Sequence, residues 1–158
     1  MPTPNPLFLR EEELDRGLEL LFMADLRRLA DAADLLDRGG LDETDHRTLF
    51  VVERRPGMTL AELSAVLGQR KQTLSRHVRE LVAAGLLEQG AGSADRRTRP
   101  LRLTSKASAM LGAIHAAQKR RLRMAFKNAG AAAVEGFERV LAELLSETPT
   151  LPQRTPGR

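Results

Sequence analysis

Apolar residues recur mostly at three- and four-residue steps near both ends of the chain, which is the spacing of one face of a helix. From about residue 10 to 37 this pattern predicts one long amphipathic helix, ended by the glycines at 39 and 40. Its apolar stripe consists of Leu14, Leu18, Leu21, Leu26, Leu29, Ala33 and Leu36. A helix over about 105–128 and another up to about 146, separated by Gly130, are predicted at the other end. Such stripes need an apolar partner.

The middle of the chain predicts shorter helices, over about 44–54, 60–67 and 71–84. Thr59 and Glu62 have the spacing of a capping box, in which a hydroxyl and a carboxylate satisfy free backbone N–H groups at a helix start. The two short helices around a tight turn have the spacing of a helix-turn-helix.

Two strand candidates, 86–89 and 100–103, flank the sequence GAGSADRRTRP at residues 90–100 and predict a β-hairpin. The expected fold class is therefore mainly α with a small β-hairpin wing. The tip carries Asp95, Arg96, Arg97 and Arg99. Because narrow minor grooves concentrate negative potential, we expect these arginines to reach minor groove and phosphate. The alternative is that they are solvated residues on an ordinary loop.

The helix predicted from residue 71 has two unlike faces. Leu74, Val78 and Leu81 share one face, and the opposite face carries Gln72, Ser75, Arg76 and Arg79. Arg70 stands where a capping Ser or Thr is usual and puts a cation beside the positive end of the helix dipole. A docked phosphate would remove that conflict. Amphipathicity alone is typical of any surface helix, so the neighbouring features carry the DNA-binding prediction.

Charge is unevenly distributed along this chain of 158 residues and net charge +4. Residues 10–38 hold nine acids and five bases, whereas residues 69–106 hold nine bases and three acids. The positive charge therefore coincides with the predicted helix-turn-helix and hairpin, and a basic face of this kind is typical of nucleic-acid binding.

Several classes of function are disfavoured by composition. The chain has no Cys, so it has no disulfide and no thiolate metal site, and its three histidines lack metal-ligand spacing. No nucleophile motif is present, so we expect no enzyme, no cofactor and no metal. No apolar run is long enough for a membrane span and no signal segment is evident, which leads us to expect a soluble cytoplasmic protein.

The stretch MTLAELSAVLGQRKQTLSRHVRELVAAGLLEQGAGSADRRTRPLRLTSKA resembles the winged helix-turn-helix core of MarR-family transcriptional regulators. Asp95-x-Arg97 matches the D-x-R wing signature of that family, and Leu103-Thr104 before a long helix matches its exit from the wing. The resemblance extends over about 9–146, and FLREEELDRGLELLF, DHRTLF and KQTLSRHVREL are most similar to the PetP-type branch. Gln69 and Arg70 depart from the family pattern.

The resemblance implies a homodimeric, sequence-specific binder of double-stranded DNA, most often a repressor and responsive to a ligand or signal. Its DNA-contacting residues would be Arg70, Lys71, Gln72, Thr73, Ser75, Arg76, Arg79, Asp95, Arg96, Arg97 and Arg99. Gln72 and Arg76 are the expected base readers, because Gln pairs bidentately with adenine and Arg with guanine. The alternative is a winged-helix module that binds an acidic protein partner.

The resemblance also implies an effector pocket near His46, Arg47 and Phe50, although a surface or capping role for His46 is favoured. His77 is expected to pack or to lie at the flank of the helix rather than to read DNA. The basic run at 119–123 is expected to be solvated, with a second DNA patch as the alternative.

The predicted organisation is a single domain over residues 9–146 between flexible tails at 1–8 and 147–158. Within that domain, 44–104 would form the DNA-binding lobe, and 9–38 and 105–146 would supply the dimerisation helices.

Overall fold

The computed structural model describes residues 7–90 and 99–146, and within these ranges the chain is mostly helical. A single 3-10 turn at Leu7–Leu9, which spans the predicted boundary between the N-terminal tail and the domain, precedes the first helix. The elements in order are α1 (Glu11–Ala30), α2 (Ala33–Gly39), α3 (Glu43–Arg54), α4 (Leu60–Leu67), α5 (Lys71–Ala83), β1 (Leu87–Gln89), β2 (Leu101–Leu103), α6 (Ser105–Ala129) and α7 (Ala131–Ser146).

The prediction of one continuous helix over 10–37 is wrong, because the chain breaks between α1 and α2. Asp31 and Ala32 keep helical dihedral angles, but the Ala32 N–H bonds to the Leu29 carbonyl three residues back, at 2.9 Å. Ala32 is fully buried and Leu36 nearly so, whereas α1 buries no residue at all. The break therefore directs α2 toward the core. At the break, the Arg121 guanidinium of α6 donates to the Asp31 carboxylate at 2.6 Å.

A core of buried aliphatic side chains joins α2 through the first half of α6. Its fully or nearly fully buried members are Ala32, Leu36, Leu49, Val52, Leu63, Leu74, Val78, Leu81, Leu86, Leu87, Leu101, Ala107, Leu111 and Ile114. Helices α3, α4 and α5 pack on one another, and the hairpin closes the group. The lobe therefore shares its core with α2 and the first half of α6.

The hairpin is antiparallel, with Leu87 opposite Leu103 and Gln89 opposite Leu101. On its other side β2 is bonded to the turn after α3. The Gly57 N–H donates to the Leu101 carbonyl at 2.9 Å, and the Leu101 N–H donates to the Met58 carbonyl at 2.8 Å. The base of the wing is therefore held from both sides.

The helices at the two ends contrast with this lobe. Neither α1 nor α7 contains a buried residue. Their exposed large apolar side chains include Leu14, Leu18, Leu21, Phe22, Leu26, Phe137, Val140 and Leu144. Among the described helices, none is both long and apolar enough to cross a membrane.

Candidate nucleic-acid interface

The helix-turn-helix begins with the predicted capping box, which the structure confirms. The Glu62 N–H donates to the Thr59 hydroxyl at 3.3 Å, and the Thr59 N–H donates to the Glu62 carboxylate at 2.8 Å. These donations stabilise the charged carboxylate and lower the pKa of Glu62. Helix α4 ends at Gly68, whose φ of 62° lies in the left-handed region that favours glycine.

Polar contacts fix the turn between α4 and α5. The buried Ser64 hydroxyl donates to the Gln69 carbonyl at 2.6 Å, and the Gln69 N–H donates to the Ser64 carbonyl at 3.2 Å. The Gln69 side-chain amide also reaches the Thr44 hydroxyl on α3, at 3.5 Å. The departure from the family pattern at Gln69 therefore supplies a contact between the turn and the first turn of α3.

Helix α5 presents the two faces that the sequence predicts. Leu74, Val78 and Leu81 are buried in the core. The candidate DNA-contacting residues of its other side are exposed except for the half-buried Ser75, and they are Arg70, Lys71, Gln72, Thr73, Arg76 and Arg79. The Arg76 guanidinium lies 3.8 Å from Glu80, and both side chains remain more than half exposed. The structure thus places these residues on one open helix surface.

Arg70 is the residue at the N-cap of α5, as predicted. Its backbone is extended, its side chain makes no capping hydrogen bond, and the first turn of α5 has no acidic residue. The free N–H groups and the positive end of the dipole are therefore not compensated by a side chain at this helix start. Such a start is suited to an anion.

Only the base of the wing belongs to the part of the chain that is described. The Gly90 N–H donates to the Pro100 carbonyl at 2.9 Å, which extends the pairing of the hairpin by one residue beyond β1 and β2. Arg99 is half-buried, and its Nε has no hydrogen-bond partner. The predicted contacts at Asp95, Arg96 and Arg97 lie outside the described residues.

The expectation of a surface or capping position for His46 is wrong. Its residue is 1% exposed, because it lies one helical turn before the buried Leu49 on the inner face of α3. Neither ring nitrogen has a hydrogen-bond partner. Burial above all, and then Arg28, His115 and Arg47, lower the pKa of His46 to about 4.

The other two candidate pocket residues lie on different sides of His46. The Phe50 ring packs edge-on against the His115 ring at 5.5 Å, with the Arg54 guanidinium 5.3 Å from its centroid. Arg47 instead lies at the surface, ion-paired with Glu43 and 3.9 Å from Asp25 of α1.

Sequence reasoning missed His115 as a partner of this region. His115 Nε2 is buried without a hydrogen-bond partner, and burial lowers the pKa of His115. Since 69 positions separate it from His46, no local pattern joins the two histidines.

His77 packs in the lobe, as predicted, and does not face the DNA-binding side. It is 6% exposed, and its Nδ1 lies 2.9 Å from the Asp45 carboxylate and 3.9 Å from that of Asp42. Asp42 and Asp45 also form the capping box of α3, each accepting a backbone N–H of the other. These three side chains are the one metal-type ligand group among the described residues, and protein groups already pair its atoms.

The comparisons agree with this architecture. The family model described as "MarR family" matches residues 39–98. A curated relative, the HTH-type transcriptional regulator PetP of Rhodobacter capsulatus, is 38% identical over 139 residues, which cover 88% of this chain and 84% of the relative. The chain belongs to the MarR family. The expected resemblance to the PetP-type branch is confirmed, and so is the expectation of a transcriptional regulator rather than an enzyme.

Solved structures of MarR regulators share the fold. A MarR-family transcriptional regulator from Silicibacter pomeroyi superposes with a TM-score of 0.72 at 19% identity, over 87% of this chain and 92% of that one. The E. coli MarR apo structure gives a TM-score of 0.60 at 23% identity, over 80% of this chain and 95% of that one. The predicted fold class, mainly α with a small hairpin, is confirmed.

Proposed function

We propose that this MarR-family regulator is a homodimeric repressor that binds pseudo-palindromic double-stranded DNA in the cytoplasm and releases it in response to a ligand. The observation that carries the proposal is the open face of α5, where Gln72, Arg76 and Arg79 are exposed while the opposite face is anchored in the core. A recognition helix needs this arrangement, because its donors must reach base edges in a major groove about 12 Å wide.

The wing and the start of α5 support the same interface. Arg70 stands at an uncapped helix start that is suited to a backbone phosphate. Arg99 lies at the base of the wing, and Asp95, Arg96 and Arg97 follow the family's D-x-R pattern in sequence. In the proposal Asp95 orients Arg97 by a charge-assisted contact, and Arg97 or Arg96 enters the minor groove.

The terminal helices support a dimer. Residues 9–38 and 105–146 contain the exposed apolar side chains of α1, α7 and the second half of α6. A second copy related by a two-fold axis would cover them, and it would place two α5 helices about 34–36 Å apart, one turn of DNA.

An effector pocket is proposed at the inner side of α3. His46 and His115 offer buried ring nitrogens without partners, and Phe50 supplies an aromatic surface beside His115. Arg47, on the outer side, ties α3 to α1 through Asp25 and would report movement between the dimerisation helices and the lobe. A ligand releases DNA only if it prefers one lobe spacing. A screen of small aromatic compounds followed by imidazole NMR tests this pocket, and unchanged His46 and His115 signals in the presence of every DNA-releasing compound would contradict it.

Binding to DNA is tested with duplexes that the wild-type protein selects from a random library, compared with a shuffled duplex at near-physiological salt. Arg76→Ala should weaken binding to the selected duplex about 10- to 100-fold and relax its sequence preference, as loss of a bidentate base contact does. Arg97→Ala should weaken binding while the dimer persists. A purely phosphate-contacting arginine would instead lower the salt slope by about one.

Arg16→Ala is the matched control, because it removes the same charge from α1. It should leave the affinity within about twofold of wild type, since isolated surface charges contribute little. Equal affinity of the wild type for selected and shuffled duplexes would overturn the proposal and favour an acidic protein partner instead.

A further inference from the structure

The hydrogen bond between Asp45 and His77 joins the recognition helix to α3. Its two residues are 32 positions apart in sequence and both are buried, and the Nδ1–Oδ1 distance is 2.9 Å. Because an ionised carboxylate only accepts hydrogen bonds, the imidazole supplies the proton from Nδ1. The remaining Asp45 oxygen accepts the Asp42 N–H at 3.1 Å, so the carboxylate is itself fixed in place by the capping box.

Apart from His77, the buried side chains of α5 are apolar. Leu74, Val78 and Leu81 anchor it in the core, and such contacts are non-directional. They secure the burial of one face but tolerate small rotations of the helix about its axis. A hydrogen bond, by contrast, weakens steeply when its angle or length departs from the optimum.

Rotation matters because of where the reading side chains lie. Arg76 directly precedes His77, so it lies about 100° around the axis from it, on the exposed side of α5. At about 5–6 Å from the helix axis, a rotation of about 20° moves a side chain by about 2 Å. That displacement exceeds the tolerance of a bidentate contact to a base edge, whose donor–acceptor distances lie within a few tenths of an ångström of about 2.9 Å.

We propose that Asp45 and His77 are positioning residues that set the rotation of α5 about its axis, and so determine which sequence the protein prefers. This inference rests on the proposed DNA-binding function. The Gln69–Thr44 contact at 3.5 Å joins the turn before α5 to the same first turn of α3. The first turn of α3 also carries Glu43, which forms an ion pair with Arg47. The Arg47 guanidinium in turn lies 3.9 Å from the Asp25 carboxylate of α1. The first turn of α3 therefore connects α1, the proposed dimerisation helix, to the residues that set the rotation of α5.

The proposal is tested with three variants of the full chain. His77→Leu removes the donor and keeps an apolar side chain, whereas His77→Asn places an amide donor near the position of Nδ1. Val78→Ala is the matched control, because it removes buried packing from the adjacent position of α5 without touching the hydrogen bond. Each variant is titrated with the duplex selected by the wild type and with its shuffled counterpart.

The ratio of the two affinities is the readout. His77→Leu should lower it by about tenfold, the cost of one misplaced base contact, while binding to the shuffled duplex changes little because phosphate charge dominates it. His77→Asn should restore most of the ratio, and Val78→Ala should leave it near the wild-type value. An unchanged ratio in His77→Leu, or an equal loss in Val78→Ala, would overturn the proposal.

A second measurement uses only the wild-type protein, so it does not depend on whether a variant folds. In the wild-type protein, NMR should show a His77 Nδ1–H proton protected from exchange with water, and its absence would overturn the positioning role. The two proposals fail differently. A wild-type protein that selects no duplex refutes DNA recognition and with it this role, whereas selection with an unchanged ratio in His77→Leu refutes the positioning role alone.

Discussion

The helix-turn-helix lobe, formed by α3, α4, α5 and the hairpin, and the terminal helices bury their apolar residues to very different extents. In the lobe, α3, α4, α5 and both strands each contribute fully or nearly fully buried side chains to one core. In α1 and α7 no residue is buried, although both helices carry regular apolar stripes. The lobe buries its apolar side chains within one subunit, whereas α1 and α7 leave theirs exposed.

This difference separates two kinds of stability. The lobe's contribution comes from intramolecular packing, so it is independent of protein concentration. The stripes of α1 and α7 gain stability only when something covers them, and in the proposed dimer that contribution depends on concentration by mass action. Substitutions in the two regions should therefore be distinguishable by dilution alone.

The largest effect is expected for Leu18→Lys on α1. Leu18 is 68% exposed in the single subunit and lies on the predicted stripe between Leu14 and Leu21. Burying one leucine contributes about 1.5–3 kcal/mol, and a two-fold axis counts the change twice, so the dimer should lose about 3–6 kcal/mol. Its dissociation constant should rise about 10²- to 10⁴-fold. Light scattering across a dilution series measures this.

Two controls sharpen that result. Glu19→Lys introduces the same side chain at the next position, and we expect it to leave the dimer intact if the stripe alone is the interface. Leu63→Ala opens the fully buried core and should cost about 2–5 kcal/mol at every protein concentration. A Leu18→Lys protein that stays dimeric at micromolar concentration would contradict the division between the two regions.

The next largest effect is a loss of stability at low pH, and it comes from His46, which lies on α3 close to Arg28 of α1. Buried His46 has a pKa of about 4, below its ordinary value of about 6.5. Between these values the unfolded chain binds a proton that the folded chain does not. The stability of the folded state should therefore fall as the pH drops from about 6.5 to 4, by at most about 3 kcal/mol from this group.

His46→Leu should flatten this dependence, because the replacement cannot be protonated. Since both ring nitrogens of His46 lack partners, the variant should be at least as stable as wild type at pH 7. Denaturant unfolding at several pH values measures both effects. His115→Leu serves for comparison, since burial lowers the pKa of His115 too and acts in the same direction. An acid dependence identical to wild type in His46→Leu would show that other groups cause it.

Local features of this fold could be predicted from sequence. The bounds of α4, its capping box at Thr59 and Glu62, and the glycine after it follow from interactions within a few residues. The buried and exposed faces of α5 follow from helical periodicity. The break at Asp31 and Ala32 could not be predicted, because no Gly or Pro marks it and its cause is burial against distant helices.

The candidate site divides in the same way. The exposed residues of α5 were predictable because the helical period alone decides which of its residues face away from the core. The Asp45–His77 bond spans 32 positions, and the approach of His115 to Phe50 spans 65. Contacts of this range depend on how helices pack, and a single sequence contains no periodic signal for them.

The smallest predicted effect lies in the lobe, at the start of the helix-turn-helix. Thr59→Ala removes the hydroxyl that accepts the Glu62 N–H and should cost about 1 kcal/mol, within the range of N-cap losses. The Thr59 hydroxyl also bonds the Glu62 carboxylate at 2.9 Å, so the pKa of Glu62 should rise toward its ordinary value in the variant. An NMR titration of Glu62 measures that rise.

The sign follows from the lowered pKa of Glu62 in the folded protein. Its contribution is present above the unfolded pKa and is lost as the pH falls through the folded value, so Thr59→Ala should reduce stability at pH 7 more than at pH 3. Thr73→Ala, on the exposed side of α5, is the comparison variant. Because the cap belongs to the lobe, the Thr59→Ala loss should be the same at high and low protein concentration. A loss that grew on dilution would place α4 with the helices that depend on a second copy.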